Sequence, residues 1–258
     1  MKAGGLLFDL DGVLYVEDRL LPGAQEVMQQ VLKQGIPFRY ITNTSTKSLA
    51  TLERQLEDRG LPVPDNSVFS AISAAVQWLD DNGVRRIFPV LADDAQQDFA
   101  RFRIDDAQPQ AVVLGDIGEG WNYGLLNRLF GYLTGGARLV AVHRNRYWQT
   151  ESGLQPDLGL FVAGLEYAAD IEAVVVGKPS ERFFRTACNG LGLEPGQVVL
   201  VGDDIESDIG GAQRAGLTGV LVHTGKYRRE RVERSGIDPD IEIASVAELP
   251  GVLPQLFA

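Results

Sequence analysis

The 258-residue sequence has one cysteine, Cys188, and two histidines, His143 and His223. A lone thiol excludes an intrachain disulfide and fits a reducing compartment, so a cytoplasmic location is the expectation. With cysteine and histidine this sparse and this far apart, a Cys/His zinc cluster is excluded. No apolar run approaches the roughly 18 residues that a bilayer span needs, so no membrane partner is expected. The opening MKAGGLLFDLDG reaches Asp9 and Asp11 too early for the apolar region of a secretory signal. Basic residues are outnumbered, with 24 Lys and Arg against 35 Asp and Glu and a net charge of −11, which argues against nucleic acid as a partner.

The composition is 45% hydrophobic and 23% charged, ordinary for a globular protein, and the length allows one large domain or a core with an insert. Short apolar runs at Gly5 to Phe8 and Pro37 to Ile41 are each followed by a polar turn and then an amphipathic helical pattern. Ala173 to Val176 and Val198 to Val201 repeat the arrangement near the other end, and Asp240 to Ala258 adds a short strand and a closing helix. This alternation predicts an α/β fold with a Rossmann-like, doubly wound parallel sheet. The stretch between has a different texture. It offers strands at Ile87 to Leu91, Ala111 to Leu114 and Arg138 to Val142, with helices at Asp94 to Arg101, Gly124 to Leu133 and Leu158 to Tyr167. The expectation is a core of residues 1–72 and 171–258 holding an inserted α/β domain at 73–170. No internal repeat is evident.

Four polar clusters stand directly after apolar runs: Asp9 with Asp11, Thr42 with Asn43, Lys178, and Asp203 with Asp204 and Asp208. In an open parallel sheet, ligands bind beyond the carboxyl ends of the strands, so these clusters are expected to converge. Converging carboxylates repel and would take up protons unless a cation compensates them. An all-oxygen donor set favours a hard ion, Mg²⁺. Lys178 and Thr42 add a cation and a hydroxyl suited to a tetrahedral anion, and the set as a whole suits phosphoryl transfer. In that chemistry Asp9 can attack phosphorus to form an aspartyl-phosphate, and Asp11 can serve as general acid and base.

The segments DLDGVLY at Asp9 to Tyr15, TNTS at Thr42 to Ser45, GKP at Gly177 to Pro179 and GDDIESD at Gly202 to Asp208 resemble, in order, the four motifs of the haloacid dehalogenase superfamily. The insert resembles that family's type 2 cap (subclass IIA), found in N-acetylglucosamine-6-phosphate-type and nitrophenylphosphate-type phosphatases. RYWQTESGL at Arg146 to Leu154 and GLEYA at Gly164 to Ala168 point to kin within that subgroup. The resemblance implies a phosphohydrolase acting on a small phosphorylated molecule, with pyrophosphate or phospholysine and phosphohistidine side chains as the indicated substrates. It makes Asp9 the nucleophile and Asp11 the acid/base, with Thr42, Asn43 and Lys178 binding the phosphoryl group. Mg²⁺ would be held by Asp9, the Asp11 carbonyl and Asp203, with Asp204 or Asp208 orienting its waters. A homodimer is also implied, since such caps often mediate dimers.

Other readings accompany these. A phosphotransferase or mutase would pass the phosphoryl group to an acceptor other than water, and a non-enzymatic phosphoacceptor module would use similar residues in about half the length. Ser45 or Thr46 is expected to cap the next helix. Asn145 and Arg146 are either substrate-recognition residues or part of a solvated loop, and Trp148 is expected in the core of the insert. Cys188, His143 and His223 read as structural. The run Lys226 to Arg234, with Glu230 and Glu233 interleaved, reads as a solvated helix face.

Overall fold

The structure, a computed structural model, describes residues 3–150 and 153–257, without the side chains of residues 148–150 and 154. The expectation for Trp148 therefore lies outside the described residues, as does part of the RYWQTESGL segment. The chain divides into two compact units. The first holds residues up to Thr42, Leu52–Phe69 and those from Lys178 onward; the second holds Asn43–Thr51 and Ser70–Gly177.

The six-stranded sheet of the first unit runs in the order Ile241–Ile243, Thr218–Val222, Val198–Gly202, Gly5–Asp9, Phe38–Thr42, Val68–Ser70. From Ile241–Ile243 through Phe38–Thr42 the pairings are parallel. The sequence is built for this, because Gly5–Asp9 and Val198–Gly202 are buried at every position, as strands covered on both faces must be. Helix Ala24–Lys33 buries Ala24, Val27, Met28 and Val31, the spacing of one helical face. Helix Glu181–Asn189 does the same with Phe183, Phe184, Ala187 and Cys188. Chain order reverses between Gly5–Asp9 and Val198–Gly202, since later strands are added on one side of each. Such a switch opens a crevice at the carboxyl ends of those two strands.

The second unit is built on a five-stranded sheet, Val174–Val175, Arg138–Ala141, Ala111–Leu114, Arg86–Val90, Arg103–Ile104, with all pairings parallel. Helices Ala71–Asp81, Tyr123–Thr134 and Gly159–Ala169 accompany it, and Tyr147–Thr150 pairs antiparallel with Gly153–Pro156. The helix expected over Asp94 to Arg101 is shorter, an α-turn at Asp93–Gln96 followed by a 3₁₀ turn at Gln97–Phe99. Helix Leu49–Asp58 begins later than expected. Its cap is Ser48, whose Oγ accepts from the Thr51 amide at 3.3 Å, while Ser45 Oγ accepts from the Asp116 amide instead. Among the described residues, no helix is long and apolar enough to cross a membrane.

Candidate active site

The crevice of the first unit receives Asp9 from the end of strand Gly5–Asp9 and Asp203 from the residue after Val198–Gly202. Lys178 and Asp208 join them, and all four side chains are buried. The Lys178 ammonium lies 2.6 Å from Asp9 Oδ1 and 2.7 Å from Asp208 Oδ1. Residues 169 positions apart thus meet, Asp9 at the end of its strand and Lys178 at the point where the chain re-enters the first unit.

Asp208 arrives by an unusual local route. The chain from Ile205 to Gly210 forms a π-helical turn, a form that recurs at functional sites. Asp208 Oδ2 there accepts from the Asp203 and Asp204 amides at 3.2 and 3.1 Å. Gly202 makes the close approach possible, since a Cβ on it would stand 2.5 Å from the Asp208 Cβ. Asp204 is used differently: its Oδ1 accepts from the Glu206 and Ser207 amides and so caps the same turn, with Arg231 3.8 Å away.

Burial, followed by the neighbouring charges of Asp9 and Asp208, pushes the Asp203 carboxyl up to about 8. Asp208 is raised as well, by burial and then by Asp9, with Lys178 opposing. Burial alone would lower Lys178, yet Asp208 and Asp9 outweigh it and hold the ammonium well above the usual lysine range. Lys178 is the ammonium paired with these carboxylates, and Lys226 lowers Asp203 and Asp208 by less than burial raises them, an imbalance that a cation would correct.

The donor set fits such an ion. Oxygens of Asp9, Asp203 and Asp208 lie within 4.8 Å of one another. Asp203 Oδ2 accepts from the Lys226 amide at 2.7 Å, while Asp203 Oδ1 is buried with no hydrogen-bond partner among the described residues. A buried orphan oxygen is costly unless something binds it, and an all-carboxylate group suits a hard divalent cation. Asp208 is less open to direct ligation, because both its oxygens are already engaged.

Asp11 is exposed at the start of the turn that follows Asp9. Gly12 donates to the Tyr15 carbonyl at 2.7 Å, which folds the loop back, and the Tyr15 phenol is raised by burial and then by Asp11 and Asp9. The Arg59 guanidinium lies over the Tyr15 ring, 4.7 Å from its centre. Thr42 is buried at the end of its strand.

Asn43, Asn145 and Arg146 belong to the second unit. Within it, Asn43 Oδ1 lies beside Gly177, Asn145 is half-buried with its carbonyl accepting from the Gly159 amide, and Arg146 is exposed. His143 is buried near Asp157, and Cys188 is buried as expected for a core residue. Helix Arg229–Ser235 is solvated, with Arg229 paired to Glu233. Lys226, just before that helix, instead touches Asp203, and its place in a run of mixed charge hides this in the sequence.

Two family profiles match the chain, "Haloacid dehalogenase-like hydrolase" over residues 6–104 and a HAD-hydrolase-like family over residues 175–249. Haloacid dehalogenase-like hydrolase domain-containing protein 2 of Bos taurus is 41% identical over 224 residues, covering 86% of this chain and 85% of the relative. The human phospholysine phosphohistidine inorganic pyrophosphate phosphatase is 35% identical over 257 residues, covering 97% and 94%. The p-nitrophenyl phosphatase from Archaeoglobus fulgidus superposes with a TM-score of 0.91 at 27% identity, covering 98% of this chain and all of that one. With relatives this similar over most of its length, the chain belongs to the haloacid dehalogenase-like hydrolase family.

Proposed function

We propose that the protein is a Mg²⁺-dependent phosphatase that works through a phosphorylated Asp9. The observation that carries this reading is the buried group of Asp9, Asp203 and Asp208 around the Lys178 ammonium. The Asp9 carboxylate attacks phosphorus in line and the leaving oxygen departs, protonated by Asp11. Asp11 then takes a proton from the water that cleaves the aspartyl-phosphate. Lys178 holds Asp9 in place and offsets charge on the phosphoryl oxygens, with Thr42 and Asn43 as hydrogen-bonding partners of the same oxygens. Asp9, the Asp11 carbonyl and Asp203 would hold Mg²⁺, which when bound supplies the positive charge that lets two anions approach. Asp208 is favoured over Asp204 for orienting its waters, because Asp208 stands within the carboxylate group while Asp204 caps a turn.

Pyrophosphate, phospholysine and phosphohistidine are the substrates we propose first, on the name of the human relative. Asn145 and Arg146 are assigned to recognition of the rest of the substrate. A homodimer in the cytoplasm completes the proposal, and light scattering tests the first part of it.

The test is phosphate release from pyrophosphate, p-nitrophenyl phosphate, phospholysine and a set of sugar phosphates and nucleotides, with Mg²⁺ and with chelator. Wild type should turn over at least one of them only with the metal. Asp9→Asn should fold and lose turnover by at least roughly a thousandfold, as loss of a nucleophile does. Substantial residual activity in that variant would sink the nucleophile assignment. Transfer of phosphate to added alcohols in preference to water would turn the reading toward a phosphotransferase.

A further inference from the structure

Lys226 lies on the loop after strand Thr218–Val222, the sheet neighbour of Val198–Gly202, so it emerges at the same carboxyl end as Asp203. Its backbone N–H donates to Asp203 Oδ2 at 2.7 Å. Two residues earlier, the Thr224 hydroxyl donates to the Gly12 carbonyl at 2.5 Å. Between them Gly225 has a φ of 56°, and a Cβ there would stand 2.5 Å from the Gly12 Cα and run into the Asp203 carboxylate. Residues 224–226 therefore form one wall of the loop that carries Asp9 and Asp11.

This wall is braced independently of the Lys226 side chain. Arg228 Nη1 donates to the Gly225 and Tyr227 carbonyls at 3.0 and 2.6 Å, and the rings of His223 and Tyr227 stack 4.1 Å apart. The backbone of a second lysine is thus held against Asp203 on a fixed support. Its side chain is exposed to solvent and so available to a bound anion.

The two lysines differ in what they have left to offer. Lys178 is committed to Asp9 and Asp208. Among the described residues, Lys226 has no ion-pair partner. A phosphate ester with a neutral leaving group brings only the charge of the phosphoryl group being transferred. A diphosphate brings a second anion on the leaving side, which needs a cation not already spent on the protein's own carboxylates. A lysine serves that need as a strong point charge for phosphate.

We propose that the Lys226 ammonium binds the anionic leaving group of the substrate and so selects diphosphates over phosphate esters with neutral leaving groups. This rests on the phosphatase reading above.

The test compares kcat/KM for pyrophosphate and p-nitrophenyl phosphate in wild type, Lys226→Met, Lys226→Gln and Lys226→Arg, with Mg²⁺ present. All three variants keep the amide that holds Asp203. In Lys226→Met and Lys226→Gln the ratio of pyrophosphate to p-nitrophenyl phosphate should fall about 10- to 100-fold, the worth of one hydrogen bond to a charged group. The loss should appear chiefly in KM for pyrophosphate, and Lys226→Arg should restore most of the ratio. Equal losses on both substrates, or a ratio within about twofold of wild type in both variants, would overturn the proposal. So would a wild-type enzyme that hydrolyses p-nitrophenyl phosphate and ignores pyrophosphate. A wild type inactive on both would instead remove the phosphatase reading, and this assignment with it.

Discussion

The Lys178 ammonium and the Asp208 carboxylate meet at 2.7 Å with both side chains out of solvent. Removing one member of a buried pair leaves an uncompensated charge, at a cost of about 3–5 kcal/mol. Lys178→Met should therefore lower stability by about that amount in urea denaturation, since it strands three buried carboxylates. Added Mg²⁺ should recover part of the loss. A change below about 1 kcal/mol, as for a surface ion pair, would show that Lys178 is not neutralising the cluster.

The orphan Asp203 Oδ1 leads to a second expectation, one that does not depend on turnover. A ligand that binds only the folded state stabilises it, by about 2.7 kcal/mol at a hundredfold excess over its Kd. Titrating Mg²⁺ into the wild type should raise the melting temperature, and chelator should reverse the rise. Asp203→Asn should abolish most of this response, whereas Asp204→Asn should keep it, because Asp204 caps the adjacent turn. Equal metal response in wild type and Asp203→Asn would exclude Asp203 as a ligand.

Gly202 offers a steric test of how Asp208 is held. In Gly202→Ala the new methyl would press on the Asp208 Cβ at 2.5 Å and on its Oδ2 at 2.8 Å. Overpacking of this kind costs about 1–3 kcal/mol, and it should also drive Asp208 away from Lys178. The expected result is a moderate loss of stability together with a clear fall in kcat. A variant with wild-type kcat would mean that the Asp208 position is not needed for activity.

What the sequence made legible, and what it concealed, follows from the range of each signal. Strands such as Gly5–Asp9 and Val198–Gly202 announce themselves because both faces are buried and residues 6–8 and 198–201 are apolar without a break. Asp9 and Asp203 could be grouped because each stands at the end of such a run at the same edge of one sheet; Lys178 also follows an apolar run, but its strand, Val174–Val175, belongs to the sheet of the second unit. The pair Tyr15–Val16 and Arg19–Leu20 was too short to show a period, and the same holds for Arg103–Ile104. Asp208 was legible as part of the cluster after Val198–Val201, but its pairing with Lys178 was not. Asp208 lies inside the π-helical turn Ile205–Gly210 and reaches back to the Asp203 and Asp204 amides, a local geometry that the spacing of charges does not announce. Lys226 was hidden altogether, because its attachment to Asp203 runs through a backbone amide that carries no side-chain signature.

Cys188 supplies the pH test. Burial pushes its thiol up to about 12 from an ordinary value of 9.0, so the folded protein keeps the proton over a range in which the unfolded chain gives it up. This contribution is constant below about pH 9, and it is lost as the pH rises from there toward the folded value. Across that window the loss approaches about 1.4 kcal/mol per pH unit. Between pH 8 and pH 10.5, wild type should therefore lose stability faster than Cys188→Ala, with the two curves running parallel below pH 8. Lysines and tyrosines titrating in the same range act equally on both proteins, so the difference between the curves isolates the thiol. The folded protein should also resist a thiol reagent at pH 8 until denaturant is added, because the thiolate is the reactive form. Rapid labelling of the native protein, or identical pH slopes in the two proteins, would show that Cys188 is not held in the protonated, buried state.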